Sequence, residues 1–424
     1  MSRRAPGGGA ARPPVRRAEL PPDAVVEVGA VAHGGHCVAR HEGRVVFVRH
    51  TLPGERVLVR FTEADPSASF WRADALEVHE ASPDRVPSRW PAAGPGGVGG
   101  GELAHVALPA QRRWKAAVVA EQLRRLAHDE RAVEVEAAPG ETDGLGWRTR
   151  IELAVDQQGR AGMLRHRSHQ VAALDDMPLA TSAIGVLDLF GRRWTPGARI
   201  TAVAPVDGDP LVLLDGAPWT DRGADLRPNA RTSVRESAEV AGRTYSWRVA
   251  ADGFWQVHRA APGVLAGAVL AAVGERDGAT VLDLYAGAGL FSVPLADVVG
   301  PSGRVVAVEG DERALRDARR NVHDHPQIEL HLGGVLEVLR DGALPHADVV
   351  VLDPPRVGAG RAVVEQVVAR APDRVVYVAC DPASLARDVA TFSAAGYELT
   401  SLRGLDLYPM THHVECVAVL DRAA

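Results

Sequence analysis

The feature that most limits the fold lies in the second half of the chain, where short apolar runs alternate with helical stretches. Thr280–Leu284, Arg304–Val308, Asp348–Leu352 and Arg374–Ala379 are such runs, and segments such as 312–323 and 360–370 carry helical patterning between them. Alternation of this kind implies a parallel, doubly wound sheet. Ligands in such a sheet bind beyond the carboxyl ends of the strands. Residues at those ends are therefore the first candidates for function.

At 424 residues the chain is longer than one core usually supports, so two or three domains are expected. Residues 1–20 read as a disordered basic arm, with five arginines among Gly, Pro and Ala and no apolar segment of a secretory signal. Over 21–80, short runs such as Val25–Val28, Arg44–Val48 and Val57–Val59 are punctuated by turn residues and predict a small OB-like β-barrel. Arginines there lie among Phe47, Phe61, Phe70 and Trp71, a mixture suited to phosphate contact and base stacking. Composition alone favours the plainer reading, that these aromatics fill the barrel core. Residues 81–250 read as a mainly β central domain, with a Gly/Pro-rich loop at 91–101 and an amphipathic helix over 109–127 that could pack on the catalytic domain. That helix should present Val118, Val119, Leu123 and Leu126 on one face. The alternating strand–helix region, 251–424, forms the last domain.

A net charge of −6 neither supports nor excludes a nucleic-acid partner, because a basic surface can be confined to one face. Three cysteines, Cys37, Cys380 and Cys416, argue against a disulfide framework and suit a reducing cytoplasm. They are too few for a four-cysteine cluster. No run of 18 apolar residues exists, so no membrane span is expected.

The strand at 281–284 runs into the loop D-L-Y-A-G-A-G, in which Gly287 and Gly289 permit a tight turn and close approach of backbone to a ligand. The next strand ends in Glu309, twenty residues beyond Gly289, a spacing at which an acid commonly binds ribose hydroxyls. Ser292 stands where a dinucleotide fingerprint would place its third glycine. The loop thus suits S-adenosylmethionine, which has no pyrophosphate to cradle; a dinucleotide site or a purely structural loop is the alternative.

The run 348–352 ends in D-P-P-R, whose two prolines hold Asp353 at the mouth of the cleft. Related motifs occur where enzymes methylate the exocyclic amine of a base. Cys380 points elsewhere. A cysteine in an apolar run is usually core packing, but one at a strand end before a helix can face the cleft with its thiolate favoured. Carbon 5 of uracil is too weakly nucleophilic to attack a methyl sulfonium. Addition of a thiolate at C6 would make C5 nucleophilic, and a base must later remove the C5 proton. Glu415, at the start of the final apolar run, could face Cys380 as that base, although a solvated strand end would look the same. His412 and His413 read as a polar turn rather than a metal site, since no further ligand set is evident.

Together these residues resemble the RNA 5-methyluridine methyltransferase family, over nearly the whole chain after the arm. H-G-G-H-C-V-A-R and V-F-V-R-H-T-L-P-G-E resemble its RNA-binding TRAM barrel. V-A-C-D-P-A-S-L-A-R-D and H-H-V-E match its nucleophile and base motifs, which implies Cys380 and Glu415. F-W-Q-V-H at 254–258 resembles a motif whose glutamine contacts the methyl donor, which implies Gln256; the likeness likewise implies Tyr285, Glu309 and Asp353 in the cofactor site. The resemblance implies a Rossmann-like methyltransferase sheet and tRNA or rRNA as partner; a uridine in folded RNA must then be unstacked, so base flipping is expected, and a monomer is the default expectation. Many members carry a four-cysteine iron–sulfur site. Here Trp90, Val98, Gly101 and Met177 stand at those positions, and without thiolates no cluster is expected. Leu290 replaces a cofactor-loop asparagine, and Gly334 falls where a polar adenine contact is expected.

Two rival readings make different predictions. An enzyme acting on a base amine or ribose would not need Cys380. A non-catalytic RNA-binding protein with a vestigial methyltransferase fold would have lost the cofactor loop, Cys380 or Glu415, and all three are present.

Overall fold

The computed structural model describes residues 20–342, 344 and 346–423; apart from Leu20, the basic arm expected over 1–20 lies outside the described residues. The described residues divide into two compact units, one of 20–30 with His36–Ser82 and one of Val31–Gly35 with the described residues from Pro83 onward. No helix among the described residues is long and apolar enough to cross a membrane.

In the smaller unit the strands Ala24–Ala32, His36–His41, Arg44–Arg49, Phe70–Glu80 and Arg56–Glu63 pair in that order and close into a barrel. Successive side chains on a strand point to opposite faces. Val46 and Val48 are therefore fully buried while Phe47 between them is half-buried on the outer face. Of the four aromatics only Phe61 joins the core, at 1% exposure. Phe47, Phe70 and Trp71 stay half-exposed, with Arg72 4.8 Å over the Phe70 ring and Arg44 4.8 Å over Trp71. The expectation that the aromatics fill the core is thus corrected for Phe47 and Phe70, which stay half-exposed and pack edge-on against each other at 5.2 Å, while Trp71, next along the strand, packs on the core residue Phe61 at 5.4 Å.

The central part of the larger unit is a seven-stranded antiparallel sheet built from strands between Arg150 and Ala224, followed by the hairpin Ser233–Val240 and Arg243–Ala250. Trp90, Val98 and Met177 share its hydrophobic core. Gly101 lies against the Trp90 indole, where an added Cβ would stand 2.8 Å from the ring. The helix expected over 109–127 runs regularly from Leu108 to Gln122 and then widens through Leu123–Ala127. Val118, Val119 and Leu123 are buried, but Leu126 is 36% exposed. The wider turn rotates it off the buried face, which corrects its expected place.

The rest of the chain builds an eight-stranded sheet in the order Ile328–Leu332, Arg304–Glu309, Thr280–Leu284, Val349–Leu352, Arg374–Ala379, Glu415–Arg422, Tyr397–Asp406, Val135–Ala137. The first five strands are parallel, and Glu415–Arg422 runs antiparallel to its neighbours. Alternate residues feed two cores. Leu282, Val306, Val350 and Val375 face the helices that include Pro382–Ala394, while Val281, Val305, Val349 and Val376 face Ala261–Val273 and Ser292–Val299. Both faces are covered, which is why these runs read as continuously apolar. Strand order reverses between Thr280–Leu284 and Val349–Leu352, and a crevice opens at such a reversal beyond the carboxyl ends.

Candidate active site

Two carboxyls meet at the reversal. Asp283 belongs to the first strand, Asp353 follows the second, and the Asp353 amide donates to the Leu284 carbonyl at 3.2 Å. The Ser292 hydroxyl donates to Asp283 Oδ2, whereas Asp283 Oδ1 is buried with no partner among the described residues. Burial, with Ser292 opposing, pushes Asp283 up to about 7; burial and the Asp283 charge push Asp353 up to about 7 as well. The loop between them turns back sharply. Tyr285 (φ 67°), Gly287 (φ 57°) and Gly289 (φ 89°) adopt left-handed conformations, which the glycines take without strain. At Gly287 an added Cβ would meet nothing within 4 Å, so this backbone is open to a ligand. Glu309, from the next strand, accepts the Gly287 amide at 2.8 Å and the Asp311 amide at 2.7 Å. Tyr285, Gly287, Gly289, Glu309 and Asp353 thus gather in one place. Gln256 is buried and joined to them indirectly: its neighbour Trp255 lies 5.4 Å from Trp247, whose indole NH donates to the Gly289 carbonyl. Leu290, in place of the expected asparagine, packs in the core.

Cys380 follows the strand Arg374–Ala379, and Glu415 begins the antiparallel strand beside it. The last pair of that ladder is Ala379 with Cys416, so Cys380 and Glu415 are the next residues on either strand. Cys380 is partly exposed; Glu415 is 4% exposed. Burial, then the Asp353 charge, pushes Glu415 up to about 8, opposed by the Tyr408 hydroxyl and Arg356. Burial, then the Glu415 and Asp353 charges, pushes the Cys380 thiol up to about 12. In the free protein burial first, and then the neighbouring carboxylates, favours the thiol over the expected thiolate. Asp381 caps the following helix by accepting the Ser384 amide at 2.8 Å.

Several supporting residues carry no role in the sequence reading, although Asp388, Arg356 and His413 lie inside the quoted motifs. Asp388, one helix turn beyond the nucleophile motif's leucine, accepts the Tyr377 hydroxyl at 2.6 Å and the Ala359 amide at 2.8 Å, which ties down the loop after D-P-P-R. Arg356 donates to His413 Nε2 at 3.3 Å. The 407–414 turn is held by helix Leu108–Gln122, where buried Lys115 reaches Asp406 at 2.5 Å and the Tyr408 carbonyl at 2.9 Å. Gln111 accepts the Met410 amide at 2.7 Å. His412 Nδ1 lies 3.5 Å from Glu102, and no group of three or more metal-ligating side chains occurs among the described residues.

Comparison with known proteins adds independent findings. Residues 342–423 match the tRNA (uracil-5-)-methyltransferase family, 25–74 the TRAM domain and 266–377 the methyltransferase small domain. A protein of Streptomyces avermitilis named as an uncharacterized RNA methyltransferase is 44% identical, over 94% of this chain and 98% of its own. The 23S rRNA (uracil(1939)-C(5))-methyltransferase of Shewanella denitrificans is 28% identical, over 96% of this chain and 97% of its own. The tRNA (uracil-54, C5)-methyltransferase of Pyrococcus abyssi, solved with S-adenosyl-L-homocysteine, has a TM-score of 0.69 and 22% identity, covering 93% of this chain and all of its own. At that identity the likeness carries the fold.

Proposed function

The chain belongs to the TRAM-containing family of RNA 5-methyluridine methyltransferases, and on that premise we propose that it methylates C5 of a uridine in tRNA or rRNA through a covalent adduct on Cys380. The observation that carries this reading is the juxtaposition, on adjacent antiparallel strands, of a partly exposed cysteine and a buried carboxyl beside the cofactor crevice.

The crevice suits S-adenosylmethionine. Asp283 and Asp353 titrate high, and a buried oxygen of Asp283 lacks a partner, so a ligand bearing positive charge is the complement the site calls for. Glu309 would take ribose hydroxyls, and the open backbone at Gly287 admits the ligand closely. Bound there, S-adenosylmethionine supplies an electrophilic methyl group on a sulfonium.

The chain's own residues do the rest. The partly exposed Cys380 gives its proton to water and its sulfur adds to C6 of the flipped uracil, forming a C–S bond and an enolate whose C5 is nucleophilic. Methylated C5 then carries a proton. The Glu415 carboxylate takes it, the C5–C6 double bond re-forms, and the Cys380 sulfur leaves. Burial first, and then the Glu415 and Asp353 charges, opposes ionisation of the Cys380 thiol, whereas Arg356 favours it.

The test is nucleoside analysis of RNA after incubation with S-adenosylmethionine. Wild type yields 5-methyluridine and Cys380→Ala yields none. Methylation of an amine or ribose, or full activity in Cys380→Ala, would overturn the reading.

A further inference from the structure

We propose that Tyr408 is a positioning residue for the base: its hydroxyl holds the Glu415 carboxyl and favours its ionised form, so that proton removal from C5 runs near neutral pH. The inference rests on the reading of Glu415 as base. Tyr408 Oη donates to Glu415 Oε1 at 3.1 Å inside a site where Glu415 is almost wholly shielded from water. The titratable and charged groups about that carboxyl are Asp353, Cys380, Arg356 and Tyr408, with Cys416 next to it on its own strand; the paired strand Tyr397–Asp406 meets it with Leu405. Asp353 follows one strand, Cys380 the next, Arg356 lies in the D-P-P-R loop, and Tyr408 stands in the 407–414 turn. Asp353 opposes ionisation, whereas Arg356 and Tyr408 favour it.

The ring is held so that its oxygen has one task. Trp147 meets it edge-on at 6.1 Å and His413 at 5.9 Å, while its backbone carbonyl accepts Lys115 and Thr411. None of these contacts uses the hydroxyl. Burial and the Glu415 charge drive that hydroxyl well above its ordinary range, so it remains a donor wherever the enzyme works. A donor to a carboxylate stabilises the charged form and lowers the pH at which the base becomes competent.

Tyr408→Phe keeps the ring, its neighbours and the backbone contacts, and removes only the donor. The experiment follows single-turnover formation of 5-methyluridine from about pH 6 to 10 in wild type, Tyr408→Phe and Glu415→Gln. In Tyr408→Phe the rising limb of the profile moves up by about one pH unit, a loss of about tenfold near pH 7 that recovers above the limb. A uniform loss at every pH, or an unmoved limb, overturns the inference and leaves Tyr408 as packing. Glu415→Gln separates the two levels. If it accumulates a protein–RNA adduct while Tyr408→Phe keeps the wild-type profile, only the role of Tyr408 falls; if it turns over normally without adduct, the base assignment falls with it.

Discussion

Three buried carboxyls, Asp283, Asp353 and Glu415, lie about the crevice, Arg356 favours the ionised form of Glu415, and each carboxyl titrates far above the usual carboxylate range. Their folded values of about 7 to 8 exceed unfolded values of about 4. The folded state therefore binds more protons near neutrality, and stability falls as pH rises from about 4 through 8. The ligand-free protein should show a Tm that declines between about pH 5.5 and 8.5. Asp353→Asn should shallow that decline. S-adenosylmethionine should shallow it more than S-adenosylhomocysteine, which lacks the sulfonium charge. An equal slope in wild type and Asp353→Asn, by differential scanning fluorimetry, would contradict this account. At this scale the sequence singles out Cys380 and Glu415 because both sit where an apolar run meets a loop, and the structure sets them on neighbouring antiparallel strands. The sequence misjudges the state of the sulfur, because that depends on burial and on which charges the fold brings beside it. Tyr408 is missed for the same reason: a hydroxyl seven residues from a glutamate carries no periodic signal.

Among the elements, the 407–414 turn depends on a helix almost 300 residues earlier in the chain. Met410 adopts a left-handed φ of 67° there, a conformation that persists only where surroundings fix it. Gln111 and Lys115 supply that fixing. Removing one partner of a buried ion pair leaves an uncompensated charge. Lys115→Met should lower stability by about 3–5 kcal/mol in urea unfolding and slow methylation by loosening the Tyr408 turn. Adding Asp406→Leu should recover most of the stability. A double variant no more stable than the single one would show that the pair's loss is a packing defect. The helix itself is legible from its apolar spacing. Its partners are not, because a single sequence does not reveal contacts at such separation, and the widened turn that exposes Leu126 leaves no signature in apolar spacing.

At the scale of the whole molecule, the alternation of strand and helix fixes the parallel sheet and hence the crevice, and the barrel is legible from its short runs. Net charge is silent, at −6 for a chain whose family acts on RNA. The informative surface is local: Phe47, Phe70 and Trp71 stand half-exposed on the barrel with Arg44 and Arg72 over two of the rings. Base stacking on such a ring is worth about 1–3 kcal/mol. Phe47→Ala should weaken RNA affinity by about that amount in fluorescence anisotropy, with the salt dependence unchanged because no phosphate contact is lost. Methylation at saturating RNA should stay near wild type. Undiminished affinity would mean that RNA does not use this face.

The covalent adduct is the centre of the account, and it is tested most directly by trapping it. Glu415→Gln incubated with S-adenosylmethionine and substrate RNA should give a protein–RNA species that survives denaturing electrophoresis, and the double variant Cys380→Ala/Glu415→Gln should give none. An adduct that persists without Cys380, or its absence from Glu415→Gln while 5-methyluridine still forms, would contradict the mechanism.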